Sequence, residues 1–315
     1  MKGWDVLRQE KLQKMEEMGI VSKNQKLSEE RGYIRKKLGK IKMGYSVESA
    51  VLPKWDSLRE EEKKELDFRR TIYAAQVERL DWNIGRIIYR LKELNLLDNT
   101  LTLFFSDNGC SGEDSTFNMN WGKYTVENYP EWRKKSGWSI SQGQCWASAS
   151  NAPLRKYKYF VHEGAIASPF IAHWPKWIWQ QGELNTNQIF HVIDIMPTLW
   201  ELSGAEYPRI YKGSEILPYQ GNEHGPYFRN VGAKSVARTL FWQHKTCSAV
   251  RRGNWKLVTA FDRDQNSWEL YDLSEDRSET ENQVSEKQKL ASELKELWFK
   301  WAKEVNVLPF PENRK

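Results

Sequence analysis

The sequence has little cysteine: three residues in 315, Cys110, Cys145 and Cys247. They are too few and too scattered for a disulfide framework or a Cys-x-x-Cys metal site, and they leave at most one pair for an oxidising compartment. A long apolar run is also missing. Met1 is followed at once by charged residues, so there is no signal-peptide core and no stretch long enough to span a membrane. Taken literally, that describes a cytoplasmic chain. The basic residues, finally, lack order. Lys and Arg number 48 against 42 Asp and Glu, a net charge of +6 that favours anionic partners. No RNA-binding motif or zinc-finger spacing organises them, which argues against nucleic acid as a partner.

What is present is material for a core. Hydrophobic residues make up 39% of the chain, enough for a sizeable interior and room for roughly two domains. Sixteen tryptophans suit a packed core or a carbohydrate-facing cleft, and core is the use expected for most of them. From Lys2 to Gly19, Val6, Leu7, Leu12, Met15 and Met18 recur between charges, which predicts a helix. The pattern breaks down between Ser22 and Pro53, where the basic stretch Arg31 to Lys42 reads as a solvated loop or insertion. From Leu66 to Leu97, the positions Tyr73, Val77, Leu80, Ile84, Ile87, Leu91 and Leu94 alternate four and three residues apart. That spacing predicts a long helix whose apolar face packs on a sheet.

A strand, Thr100 to Ser106, follows directly, and helix joined closely to strand is an α/β unit. It ends in Asp107-Asn108-Gly109. Open parallel sheets gather ligands outside the carboxyl ends of their strands, and a carboxylate beside an amide oxygen suits a hard cation such as calcium or magnesium. The same three residues also make an ordinary turn. The polar and aromatic region from Gly109 to Ser150 reads as active-site loops. A second strand covers Ser168 to His173, and Asp194 can cap a helix with Pro197 in its first turn and Gly204 at its stop. After about Pro218, Thr239 to Gln243, Ser248 to Arg252, Lys256 to Thr259 and Trp268 to Asp272 suggest an antiparallel sheet. Leu290, Leu294, Leu297, Trp301 and Val305 then mark a helix packing on that sheet. The fold class expected is α/β followed by a small α+β domain, divided between 1–218 and 219–315.

Several longer strings, in order, resemble the C-terminal half of a sulfatase of the arylsulfatase type, within the alkaline phosphatase superfamily. They include Gly3-Trp4-Asp5-Val6-Leu7-Arg8, Leu80-Asp81 with Asn83-Ile84-Gly85, and Ser106-Asp107-Asn108-Gly109. The strongest is Asn151-Ala152-Pro153-Leu154-Arg155-Lys156-Tyr157-Lys158 with Val161-His162-Glu163-Gly164; Ile193 to Leu199 and Trp268 to Leu273 complete the set. The resemblance implies part of an alkaline-phosphatase-like mixed sheet flanked by helices, with 1–218 the C-terminal portion of the catalytic domain. It implies calcium held by Asp107 and Asn108, and Lys158 on a sulfate oxygen. A lysine is a compact point charge suited to a tetrahedral anion, and fixed cations stabilise the charge that develops when a sulfate ester breaks. His162 is a second candidate for sulfate contact, set against plain packing, and Glu163 an orienting group.

The family's nucleophile sits early in the catalytic domain, as a cysteine or serine in a Cys/Ser-x-Pro/Ala-x-Arg motif converted to formylglycine. Cys110 is followed by Ser-Gly-Glu, Cys145 by Trp-Ala-Ser and Cys247 by Ser-Ala-Val, so none is expected in that role. Formylglycine and the remaining calcium ligands are therefore expected outside this chain, in a missing N-terminal half. Cys110 and Ala165 stand where the family has glycine; alanine resists the backbone conformations that glycine allows. The first function expected is calcium-dependent hydrolysis of sulfate esters by ancestry, in a truncated and inactive fragment acting on a sulfated small molecule or glycan. Two rivals stand beside it: a non-catalytic protein that binds sulfated glycans, and a phosphoester-processing member of the same superfamily. Family members are commonly periplasmic, secreted or lysosomal, which leaves the compartment open.

Overall fold

The computed structural model describes residues 2–28, 31–37, 45–112, 126–127, 129–132, 141–178, 182–186, 188–229, 237–245, 247–260 and 267–308, with backbone alone at 31–37, 45–50, 132 and 229. Two compact units emerge, both discontinuous in sequence. One comprises Met1–Arg79, Asn108–Ser168 and Ala237–Lys315, the other Leu80–Asp107 and Pro169–Val236. No helix among the described residues is long and apolar enough to cross a membrane.

The chain opens with helix α1 (Gly3–Glu17), which brings Trp4 edge-on to Trp55 and Trp146 at 4.8 and 5.3 Å. Each indole has an apolar body and one donor to satisfy, and Trp4 and Trp146 give theirs to the carbonyls of Pro53 and Leu66. The basic stretch differs from the loop expected: Arg31–Lys37 is a strand, β1, paired antiparallel with β2 (Tyr45–Val51). Its charged residues hide the two-residue period, and the partner strand fixes a conformation that weak intrinsic preference leaves open. The remainder of that stretch, 38–42, lies outside the described residues.

Helix α2 (Glu60–Glu93) starts earlier than its apolar spacing indicates. Glu60, Glu61 and Glu62 occupy the first turn, Glu62 accepts the Arg59 amide, and Arg90 and Lys92 stand in the last turn, all complementing the helix dipole. The face expected to pack on a sheet is open instead, with Val77, Leu80 and Ile87 47%, 50% and 61% exposed. Spacing decides which residues share a face; it does not supply the surface that covers them. Strand β3 (Thr102–Phe105) follows, then the helical turns α3 (Tyr129–Trp132), α4 (Gln144–Asn151) and α5 (Glu163–Ile166).

Strand β4 (Phe170–His173) runs antiparallel to β3, pairing Thr102 with His173 and Phe105 with Phe170. Helix α6 (Ile195–Ser203) stops at Gly204, as its sequence indicates. Asp194 sits at its start, but its carboxylate accepts the amides of His191 and Asn222 and so ties two loops together. A two-residue hairpin, β5 (Ile210–Tyr211) and β6 (Ser214–Glu215), and a turn α7 (Gly225–Arg229) complete this part.

The last segment matches its pattern closely. Strands β7 (Thr239–His244), β8 (Cys247–Arg252), β9 (Trp255–Thr259) and β10 (Glu269–Asp272) form an antiparallel meander. Because side chains alternate across a strand, the sheet has two apolar faces. Val250, Leu257 and Leu270 meet Leu294 and Trp298 of helix α8 (Gln288–Glu304). Ala249, Val258 and Tyr271 belong to a second cluster with Tyr157, Phe160 and Val161, so the loop that carries Lys158 rests on the far face of this sheet.

Candidate functional site

The site is assembled by backbone. Where the chain leaves β3 it runs along the loop 151–165, and a ladder of hydrogen bonds joins the two. Gly109 N donates to Ala165 O at 2.7 Å, Cys110 N to Asn151 Oδ1 at 3.1 Å, and Lys158 N to Cys110 O at 3.0 Å. Lys158 is thereby fixed two residues from Asn108. The approach is close enough to require glycine: a Cβ on Gly109 would lie 1.9 Å from Gly164 O, and one on Gly164 would lie 2.3 Å from Lys156 O. Ala165 shows no such strain, since it lies in the helical turn α5 with its amide bonded to His162 O.

Asp107 is exposed, while Asn108 and Lys158 are half-buried. The Asn108 amide nitrogen donates to Gly109 O at 3.0 Å. The division between the two units falls between Asp107 and Asn108. Lys158 stands between two non-glycine residues of positive φ, Lys156 at 69° and Tyr159 at 100°. Such backbone costs about 1–3 kcal/mol per residue and persists only where the surroundings impose it. Here the Lys156 ammonium is buried over the Phe160 ring at 4.7 Å, and Tyr159 O is 2.8 Å from His244 Nδ1.

Both ends of the loop are tied to the C-terminal sheet. Arg155 Nη1 donates to Glu269 Oε2 at 2.8 Å and to the Tyr271 hydroxyl at 2.7 Å, both on β10. Burial works against the Arg155 charge, but Glu269 and its neighbours outweigh it and raise the pKa further. Burial alone would raise Glu269 too; hydrogen bonding to His162 and the Arg155 charge instead hold its carboxyl well below the usual carboxylate range. His162 is 1% exposed, with Nε2 3.4 Å from Glu269 Oε2, and burial lowers its pKa to about 3. It is therefore neutral at ordinary pH, and its contact with Glu269 is a hydrogen bond, not an ion pair. The His162 ring lies against Phe160 and Glu269 of β10.

At the other end, Lys256 of β9 is wholly buried between two carboxylates, 2.9 Å from Glu163 Oε1 and 2.9 Å from Glu279 Oε1. The Glu163 backbone amide donates to the other oxygen of Glu279 at 2.9 Å. No sequence pattern announces this triad, in which Glu163 lies 93 positions from Lys256 and 116 from Glu279. Among the described residues, no group of three or more His, Cys, Asp or Glu converges as a metal site.

Cys247 needs a correction. With Ala249 and Arg251 it does spell Cys-x-Ala-x-Arg, which its first three followers do not reveal. The structure makes the string an interior strand: Cys247, Ala249 and Val250 are each 0% exposed, in β8 paired on both sides.

A family model described as Sulfatase matches residues 44–205, about half of the chain, and one described as N-sulphoglucosamine sulphohydrolase, C-terminal, matches residues 156–304. The chain belongs to the sulfatase family. It is similar to an uncharacterized sulfatase of Schizosaccharomyces pombe, 31% identical over 324 residues that cover 99% of this chain and 54% of that protein. To a sulfatase of Formosa agariphila it is 26% identical, over 85% of this chain and 48% of the other. One solved structure, of a protein in complex with its substrate D-glucosamine-2-N, 6-O-disulfate, shares the fold at 22% identity and a TM-score of 0.50, over 77% of this chain and 42% of that one. The chain thus spans about half the length of the curated relatives it matches.

Proposed function

We propose that Asp107, Asn108 and Lys158 are one edge of a sulfate-ester site, descended from a calcium-dependent hydrolase, and that these 315 residues bind a sulfated ligand without turning it over. The observation that supports this reading is the Lys158 N to Cys110 O bond, which holds the Lys158 backbone against a residue two positions after Asn108. In such a site a bound calcium supplies a Lewis acid for the sulfate oxygens. Asp107 and Asn108 provide two oxygen donors where calcium takes about six to eight, so the fit is partial and the other ligands have to come from elsewhere. Lys158 offers a fixed positive charge to a sulfate oxygen, and buried, neutral His162 serves packing. Residues 1–218 are then the C-terminal portion of a catalytic α/β domain, and 219–315 its small closing domain.

The uncovered apolar surface supports a missing half. In Leu80–Asp107 and Pro169–Val236, no described Leu, Ile, Val, Met or aromatic side chain is buried, and Ile87, Ile171 and Val192 are 61%, 57% and 60% exposed. A surface of that kind marks a partner or a further segment.

Calorimetry of the chain with glucosamine 6-sulfate, beside assays on paired aryl sulfate and aryl phosphate with and without calcium, tests the reading. Binding that Lys158→Ala abolishes, with no hydrolysis, is the expected result. Turnover of the aryl sulfate by this chain alone would sink the inactive reading, and binding indifferent to Lys158→Ala would sink the site. Preference for the phosphate ester would move the chain to the phosphoester branch of the superfamily.

A further inference from the structure

We propose that the buried triad of Glu163, Lys256 and Glu279 positions the loop that carries Lys158, making the C-terminal sheet a working part of the anion site; this rests on the sulfate-site reading of Lys158. The loop is a closed clasp. Gly164 N bonds to Arg155 O at 2.8 Å and pinches residues 155–164 at their base, with Lys158 within the loop. One jaw of the base is Arg155, held on β10 by Glu269 and Tyr271. The other is Glu163, held on β9 by Lys256 and by Glu279, which accepts the Glu163 amide. Removing either anchor frees one end of the segment that sets Lys158.

Glu279 shows the marks of an imposed position. It is 1% exposed and has a φ of 55°, a left-handed conformation that a glutamate adopts only under constraint. Its carbonyl lies 3.4 Å from Arg155 Nη1, so this one residue touches both jaws of the clasp. The titratable groups around it are Lys256 of β9, Glu163 of the loop, Arg155, the neutral Tyr271 of β10, and Arg277 of its own segment, whose Nη2 is 3.6 Å from Glu163 Oε2. Arg251 of β8 acts on Glu163 as well.

Glu163 and Glu279 share Lys256, and Arg277 and Arg251 act on Glu163 as well. Burial, assisted by the Glu163 charge and opposed by Lys256, raises the Glu279 carboxyl to about 7. The clasp is at its best below neutrality, because ionisation of Glu279 sets a second buried negative charge against Glu163.

The experiment titrates inorganic sulfate into the full 315-residue chain between about pH 6 and about pH 8, following the Lys158 amide resonance, in wild type, Lys158→Ala, Glu279→Gln and Lys256→Met; all four are first checked for fold by circular dichroism. The wild-type Kd is expected to rise at least about fivefold across that range, the lower end of ordinary coupling between sites. Glu279→Gln is expected to keep the tight value at both ends, and Lys256→Met to bind weakly at both although Lys158 is intact. A merely structural role leaves the pH profile of a folded Glu279→Gln chain like the wild type's, and that result overturns the inference. So does a flat wild-type profile, which needs no variant to fold. Binding that survives Lys158→Ala, or no binding at all, removes the sulfate-site reading and the inference with it. Lys158-dependent binding with an unaltered Glu279→Gln profile removes the inference alone.

Discussion

The two compact units differ most in what their apolar residues touch. In the unit built on the C-terminal sheet, Trp298, Leu294, Leu257, Val258 and Leu270 are all 0% exposed, and the buried Lys256 meets the carboxylates of Glu163 and Glu279. In the unit built on β3 and β4, the described residues that are buried include Asp194, Thr198 and His224, while Ile87, Ile171 and Met196 stand open. Among the described residues, the buried apolar clusters all belong to the first. Burial of apolar area is the main favourable contribution to folding, at about 25 cal/mol per Å². The buried apolar area of the described residues therefore concentrates in one unit.

That contrast can be broken from either side. The largest effect is expected at Trp298, whose side chain fills the space between α8 and the sheet. Trp298→Ala is expected to lower unfolding free energy by about 3–5 kcal/mol, read from urea melts. Lys256→Met comes next. It leaves Glu163 and Glu279 facing each other without their cation, and stranding buried charge costs about 3 kcal/mol or more; a shift in urea midpoint well under 1 M would contradict it.

The third effect depends on pH. The Glu279 pKa is raised on folding, so its contribution is complete below the carboxyl's unfolded value and is lost as pH rises through about 7. Glu163 runs the other way: burial opposes its charge, but Lys256 and the arginines lower its pKa, so its contribution is lost only in acid. Wild type should thus lose stability between about pH 5 and about pH 8, and Glu279→Gln should lose about 2 kcal/mol less over the same range. Equal slopes for the two proteins would refute the assignment.

The smallest effect is expected on the open face. Ile87→Glu should change unfolding free energy by no more than about 0.5 kcal/mol, yet reduce binding of an apolar dye. A loss of several kcal/mol there would show that the face is covered in solution, by another copy or another segment.

How much of this was legible in the sequence follows from what each signal encodes. The C-terminal meander and its helix could be read almost residue by residue, because alternation and helical spacing report a face and both faces are filled. Asp107-Asn108-Gly109 was visible as a strand end, and Lys158 as part of a family string. The Arg31–Lys37 strand was not, since its charges mask the period and its partner begins at Tyr45. Nor could the spacing of α2 say that Val77 and Leu80 are uncovered, because a pattern carries no information about the neighbour. The triad at Lys256 was hidden for a related reason. Its three members lie on separate segments, and only the folded sheet brings them into contact.

The tryptophan cluster near the N-terminus has an optical consequence. Trp4, Trp55 and Trp146 lie 4.8 to 5.5 Å apart, two of the three pairs close to perpendicular, so their transition dipoles couple. Trp268 and Trp298 form a separate pair at 5.8 Å beneath α8. The chain therefore carries several close indole groups, Trp174 and Trp177 at 5.6 Å among them, and Trp146→Phe would remove one partner of the first group while leaving Trp4 and Trp55 in contact.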